Sequence, residues 1–321
     1  MANKARKVAI VGVGQVGSSC AYALINQSIC DELLLIDRTF DRAYAQALDL
    51  SHSMDFVHGR TKVAAGTLEQ CGDVDVILLC AGAYPVGSDD RLDVLHTVRE
   101  IYETMIPRIM NSGFNGIFVA AANPVDIVTY VVWELSGMPR CQVIGTGTSI
   151  DSSRLKTLLC EHFPVDARSV QGYVLGEHGE SQFPAWSHVT VGGKPLLHIL
   201  AQHPERFGHV KLGALAEQTR NAGWEIYTRK GSTSFGIGNA LAHITRSILN
   251  DEHRIIAVSA ILNGEYGQRQ VCAGVPAIIA RCGVKEIVEL KLTSREQRLM
   301  ERSCSIIRQA IESLCLVTEK E

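Results

Sequence analysis

The first 145 residues alternate short apolar runs with longer stretches whose apolar positions recur every three to four residues. Residues 8–11, 33–36, 74–80, 117–121 and 143–144 are the apolar runs and predict buried strands. The run 74–80 is bounded by Asp73 and Gly82. Helices are predicted from the turn after residue 11 through Asn26, over 41–51 and over 91–110. In the last of these, Leu92, Leu95, Val98, Tyr102, Met105 and Ile109 share one face, while Ser88, Asp89 and Asp90 supply a cap and an acidic first turn. Strands alternating with helices in this way predict a parallel, doubly wound sheet.

After about Gly145 the pattern changes. A helix over 149–162 leads into hairpin-like strands near 169–175 and 188–191, with Gly192-Gly193 as the turn. Two long helices (210–229 and 235–250), strands near 255–262 and 270–280, and a charged amphipathic helix complete the chain. The expected architecture is therefore α/β, a parallel domain over 1–145 followed by an α+β catalytic domain over 146–321.

Composition narrows the function by exclusion. Formal net charge is −3 and no Lys/Arg run occurs, which argues against nucleic acid or an anionic membrane as partner. No stretch approaches the roughly 20 apolar residues of a membrane span. The start, basic and then apolar, is too short and too broken by glycine to be a secretion signal. The ten cysteines are scattered, without a CxxC pair or metal-ligand spacing, and read as reduced core or helix residues of a cytoplasmic protein with no metal site.

Gly12-Val13-Gly14-Gln15-Val16-Gly17 has the spacing of a dinucleotide-binding turn, with a strand before it and a helix after it. Gly12 allows the tight turn, Gly14 the close approach of a pyrophosphate, and Gly17 the packing of helix on strand. Asp37 lies twenty residues past Gly17, at the end of the next strand. There it would accept hydrogen bonds from ribose hydroxyls and repel a 2′-phosphate, favouring NAD over NADP. This makes the first domain Rossmann-type.

A second set of polar groups stands apart from the turn. Asp151 and Arg154 are three apart and share a helix face. His178 lies in Gly176-Glu177-His178-Gly179, directly after an apolar strand. Arg91 opens a helix, and Asn123 follows a strand C-terminus, where ligands bind in such sheets. Singly, each has a bland reading: a surface histidine, or an exposed ion pair worth less than about 1 kcal/mol. Asp49 and His52 keep their bland reading, as part of a packed helix.

Taken together, these segments closely resemble the L-lactate/malate dehydrogenase superfamily. The matching residues are Gly12 to Gly17, Asp37, Arg91-Leu92-Asp93, Asn123-Pro124-Val125-Asp126, Asp151 to Arg154, Gly176 to Gly179 and Lys230-Gly231-Ser232-Thr233, in the family's order and spacing. The resemblance implies an NAD-dependent dehydrogenase of small 2-hydroxy acids, a homotetramer or homodimer built on the helix after the second strand and on helices of the second domain. It implies that His178 is the general acid/base, Asp151 its carboxylate partner, Arg154 the clamp on the substrate carboxylate, and Arg91 a lid group polarising the carbonyl. Asn123 and Thr233 would line the substrate site. Val16, Asn123, Thr146 and Ile237 would meet the coenzyme.

The lid departs from the family. Six residues before the lid arginine, lactate enzymes carry Gln and malate enzymes Arg. This chain places Pro85 there, or Tyr84 if the gap is moved. Neither carries a positive charge, so a substrate with a second carboxylate is disfavoured. Pyruvate/lactate is favoured, with larger branched 2-oxo acids of the L-2-hydroxyisocaproate dehydrogenase type as the alternative. Lys156 and Gln171 stand where sugar-bisphosphate-activated relatives have Arg and His, so activation by fructose 1,6-bisphosphate is expected to be weak or absent. A rival of another class is a non-catalytic NAD(H)-binding sensor, against which the joint presence of His178, Asp151, Arg154 and Arg91 speaks.

Overall fold

The computed structural model describes residues 4–82 and 91–314. Six strands are parallel: β1 (Lys7–Val11), β2 (Glu32–Ile36), β3 (Lys62–Ala65), β4 (Val76–Leu79), β5 (Ile117–Ala120) and β6 (Val143–Gly145), in spatial order 3-2-1-4-5-6. Helices α1 (Gln15–Asn26), α2 (Phe40–Ser53), α3 (Arg91–Asn111) and α4 (Val125–Ser136) lie between them. The strand order reverses between β1 and β4, which opens a crevice at their C-terminal ends.

The second half contributes α5 (Ser149–Cys160), short strands β7 (Val170–Gln171), β8 (Val174–Leu175), β9 (Phe183–Pro184), β10 (Thr190–Val191) and β11 (Lys194–Pro195), and helices α6 (Leu196–Gln202), α7 (Pro204–Phe207), α8 (Leu212–Lys230) and α9 (Phe235–Leu249). Three antiparallel strands follow, β12 (Arg254–Asn263), β13 (Arg269–Ala280) and β14 (Gly283–Ile287), and then α10 (Ser294–Ser313). β12 joins β6 through Ser259 opposite Gly145, so one nine-stranded sheet runs through both halves of the chain. The expected α/β class holds, but the later strands extend the first sheet rather than standing apart from it.

Period-two alternation decides which side each residue buries. Val8, Ile10, Val76 and Leu78 face Cys20 and Leu24 of α1 and Ile244 of α9. Ala9, Val11, Ile77 and Leu79 face Tyr102 of α3, Val128 of α4 and Ile307 of α10. Each fully buried Val, Leu or Ile contributes about 1.5–3 kcal/mol, so β4, buried at every position, anchors the sheet's centre.

Three further features differ from the sequence expectations. Helix α4 is not anticipated, because Val-Asp-Ile-Val-Thr-Tyr-Val-Val is rich in β-branched residues and lacks an amphipathic period. Burial from Val125 to Val132 overrides that propensity, and Gly137, left-handed at φ 65°, ends the helix. The region 169–175 is not one strand: β7 pairs with β10 and β8 with β9, and Gly192-Gly193 joins β10 to β11. Gly172 separates them, set so close to Val189 that a Cβ would stand 3.0 Å from its Cγ2. Asp49 and His52 lie on the exposed side of α2, not in its packing, which uses Ala43, Ala47 and Leu50.

Candidate active site

The crevice begins at the glycine turn. Gly12 follows β1 at φ 93°, a conformation that suits glycine, and a Cβ there would stand 2.5 Å from the Ala81 nitrogen. Gly17 beds against the Gly12 carbonyl, which a Cβ would overlap. Gly14 is the N-cap of α1, with open space where its Cβ would be. The turn thus combines closed packing behind Gly12 and Gly17 with an open approach at Gly14, which fits a pyrophosphate on the helix N-terminus. Asp37, with 6% of its side chain exposed, accepts the N–H of Val13 at 3.1 Å and of Thr39 at 3.0 Å. It therefore braces the turn.

A cavity of about 730 Å³ continues from the turn, lined by Val16, Asn123, Thr146, Arg154, His178, Thr233 and Ile237 among others. Residues expected to meet coenzyme and residues expected to meet substrate share this one space. Thr233 is delivered by the end of α8, where Gly231 adopts φ 79° and turns the chain back toward the cavity. Arg91 opens α3, but its side chain lies outside the described residues, as do Tyr84, Pro85 and the rest of the lid segment.

The polar centre is a triangle. Asp151, 1% exposed, sits in the first turn of α5. Its Oδ2 meets His178 Nδ1 at 2.6 Å, and its Oδ1 accepts from Arg154 Nη1 at 3.0 Å. Gln182, with its NH2 turned to the carboxylate, lies 3.3 Å from both oxygens. An Nδ1–H donated to Asp151 leaves Nε2 as the other nitrogen of a ring that lines the cavity. Burial works against a charged imidazole, but the Asp151 carboxylate overrides it, with help from Asp126, and the pKa of His178 is raised. Burial likewise works against an ionised Asp151, and His178 and Arg154 override it, leaving its pKa lowered.

Arg154 lies against α8 at Gly223, where a Cβ would be 3.2 Å from both Nη atoms. That flat stretch of backbone lets the guanidinium lie beside the cavity with one fork on Asp151. Behind His178, its main-chain N–H donates to Asp126 Oδ2 at 2.7 Å, and the N–H of Glu177 donates to Ser303 Oγ of α10 at 2.6 Å. Gly223, Asp126, Gln182, Ser259 and Ser303 carry no role in the sequence reading. The signals were thin: Asp126 stands in the matched Asn123 to Asp126 segment, and Ser259 is a lone hydroxyl in an apolar strand.

The family model of the lactate/malate dehydrogenase NAD binding domain matches residues 6–145, and that of the lactate/malate dehydrogenase alpha/beta C-terminal domain matches 148–316. The chain belongs to the lactate/malate dehydrogenase family. It is 56% identical to L-lactate dehydrogenase 3 of Bacillus thuringiensis subsp. konkukian, over 98% of this chain and 99% of that one. Identity to L-lactate dehydrogenase 2 of Lactococcus lactis subsp. lactis is 42%, over 96% and 98%. Among solved structures of the family, MGS-M5, a lactate dehydrogenase from a Medee basin deep-sea metagenome library, matches with a TM-score of 0.94 at 38% identity, over 97% of this chain and 99% of that one. The ligands-bound minor L-lactate dehydrogenase of Enterococcus mundtii matches with 0.92 at 42%, over 98% and 99%.

Proposed function

We propose that this protein is an NAD-dependent L-2-hydroxy acid dehydrogenase, specifically an L-lactate dehydrogenase that interconverts pyruvate plus NADH and L-lactate plus NAD. The observation that carries the reading is the His178–Asp151–Arg154 triangle on a cavity shared with Val16, Asn123, Thr146 and Ile237. The near-full-length relatives named L-lactate dehydrogenase support it.

NADH bound along Gly12, Gly14, Gly17 and Asp37 would supply a hydride to the carbonyl carbon. The chain does the rest. Arg154 pairs with the substrate carboxylate through parallel hydrogen bonds, which fixes the face presented. His178 gives its Nε2 proton to the carbonyl oxygen as the C–H bond forms, and takes it back in lactate oxidation. Asp151 stabilises the charged ring and holds its tautomer. Arg91 is assigned to polarise the carbonyl from the lid, with Asn123 and Thr233 beside it.

Two finer assignments accompany this. Ile226 and Tyr227 of α8 also line the cavity and favour an uncharged substituent, which keeps larger branched 2-oxo acids as a second reading; the assignment of Pro85 to the substrate site rests on the sequence alone. Phe40, Tyr44 and Leu48 recur every four residues on α2 and are exposed by 52%, 57% and 45%, with Phe56 beyond them at 87%. A second copy of the chain would cover this stripe, consistent with a homotetramer or homodimer. Among the described residues no helix is long and apolar enough to cross a membrane, and a cytoplasmic location is assigned on the resemblance.

NADH oxidation measured in parallel with pyruvate, oxaloacetate and 4-methyl-2-oxopentanoate tests the substrate. Pyruvate is expected to give the highest kcat/KM. Oxaloacetate as best substrate overturns the lid argument, and 4-methyl-2-oxopentanoate as best moves the assignment to the branched acids. Addition of fructose 1,6-bisphosphate should leave the half-saturating pyruvate concentration nearly unchanged.

A further inference from the structure

Two histidines outside the active-site cavity face each other on the surface of the second half of the chain. His162 Nδ1 stands 3.3 Å from His209 Nε2, with the ring centroids 5.2 Å apart and the planes inclined by 56°. Both rings are mounted on buried aromatic groups. His162 follows α5 and precedes Phe163, while His209 lies just past Phe207 at the end of α7. Phe163 and Phe207 stack at 4.6 Å within one core cluster. Val210, also buried, holds the other side of His209 by donating its N–H to the Phe207 carbonyl at 2.9 Å. Packing therefore fixes the main chain at both positions, while half-buried His162 and exposed His209 still meet solvent.

We propose that His162 and His209 form a surface site for an imidazole-seeking divalent transition ion, zinc or nickel, which ties the C-terminal end of α5 to the turn before α8. Two nitrogens each about 2.0–2.1 Å from a tetrahedral ion stand about 3.3–3.4 Å apart, the separation found here. The ring centroids of such a pair stand about 5.2 Å apart, again as found here. As a hydrogen bond the same contact is longer than the usual value of about 2.9–3.0 Å. Imidazole nitrogen selects zinc, nickel or copper over magnesium and calcium, which take oxygen. Among the described residues no group of three or more His, Cys, Asp and Glu side chains is assembled for a metal, so water completes the coordination. The sequence expectation of no metal site rested on ligand spacing, and these two histidines are 47 residues apart. The ion joins the ends of the two helices that meet where Arg154 of α5 lies against Gly223 of α8, so it acts on stability rather than on the reaction.

Thermal unfolding of the untagged, chelator-stripped protein in a non-thiol reductant, with zinc, nickel or magnesium added in turn, tests the site. Saturating zinc and nickel should raise the melting temperature by a few degrees, because the ion binds the folded chain alone, and magnesium should leave it unchanged. His162→Gln and His209→Gln should each abolish the rise, whereas His178→Asn in the cavity should keep it. Calorimetric titration with nickel should give one site per chain, weakened about ten-fold or more in either surface variant. That titration decides the case if a surface variant melts differently before metal is added. A rise that survives in both surface variants, or one lost in His178→Asn, puts the ion on another group and overturns the inference. A wild-type protein that shows neither the rise nor a nickel site overturns it as well.

Discussion

Around the glycine turn the contacts are local. Val13 donates to Asp37 across 24 residues of chain, and Gly17 beds on Gly12. Around His178 they reach further: its main-chain N–H is tied to Asp126 52 residues away, the neighbouring Glu177 N–H to Ser303 126 residues away, and Asp126 to Ser259 across 133. The first region is shaped by glycine backbone conformation and by one carboxylate, Asp37, that braces the turn. The second is shaped by buried charge and by hydrogen bonds that close only once both halves of the chain have folded. The two regions share a cavity but should fail in different ways.

His178→Asn should break them apart most sharply. Loss of the proposed proton donor is expected to lower kcat by about 10³-fold or more while NADH binding, measured by fluorescence, stays near wild type. Parallel loss of both would show that the two regions are not separable. Arg154→Lys comes next. A lysine cannot form two parallel bonds to a carboxylate, and its ammonium would leave the flat seat on Gly223. The expected loss is roughly 10²-fold in kcat/KM for pyruvate, mostly in KM, again with NADH binding retained.

The contrast also explains what could be read before folding. The turn was legible because its requirements are local: three glycines at fixed spacing, and an acid at the end of the next strand. His178, Asp151 and Arg154 were legible as residue types at family spacing, and the structure brings them within hydrogen-bond reach. Gly223 was not, since a glycine inside a helix bears no mark of the guanidinium that lies against it. Helix α4 was hidden because burial on all sides erases the period that betrays a surface helix. The continuation of the sheet from β6 into β12 rests on a pairing between residues over a hundred positions apart, which no local pattern announces.

The proton-transfer region should also impose the pH dependence. His178 has a raised pKa, so the protonated ring needed for pyruvate reduction persists to higher pH than an ordinary histidine allows, and reduction is lost as pH rises through that raised value. Lactate oxidation needs the neutral ring and should rise over the same interval. Oppositely directed limbs that coincide in pH would tie both directions to one group. A milder probe is Gly223→Ala. The new methyl would press on Arg154 from 3.2 Å and shift the clamp by a few tenths of an ångström. A several-fold rise in the KM for pyruvate with little change in kcat is expected, and an unchanged KM would mean that the seat is not tight.

The last effect has the opposite sign, a gain. Asp126 is lifted to about 6 from the usual 3.8 because burial penalises its charge. For an acid whose folded pKa lies above its unfolded one, the folded state holds the proton more tightly. Stability from this group is present below the unfolded value and is lost as pH rises from 3.8 through about 6. Above that window the ionised carboxylate costs up to about 3 kcal/mol, the free-energy equivalent of the shift. Asp126→Asn removes the cost while keeping an acceptor for His178 N–H. Its melting temperature should therefore exceed wild type by a few degrees at pH 8, at matched protein concentration, and the gain should vanish near pH 4, where wild-type Asp126 is mostly protonated. Identical melting curves at pH 8 would mean that the charge of Asp126 is already compensated in the folded chain.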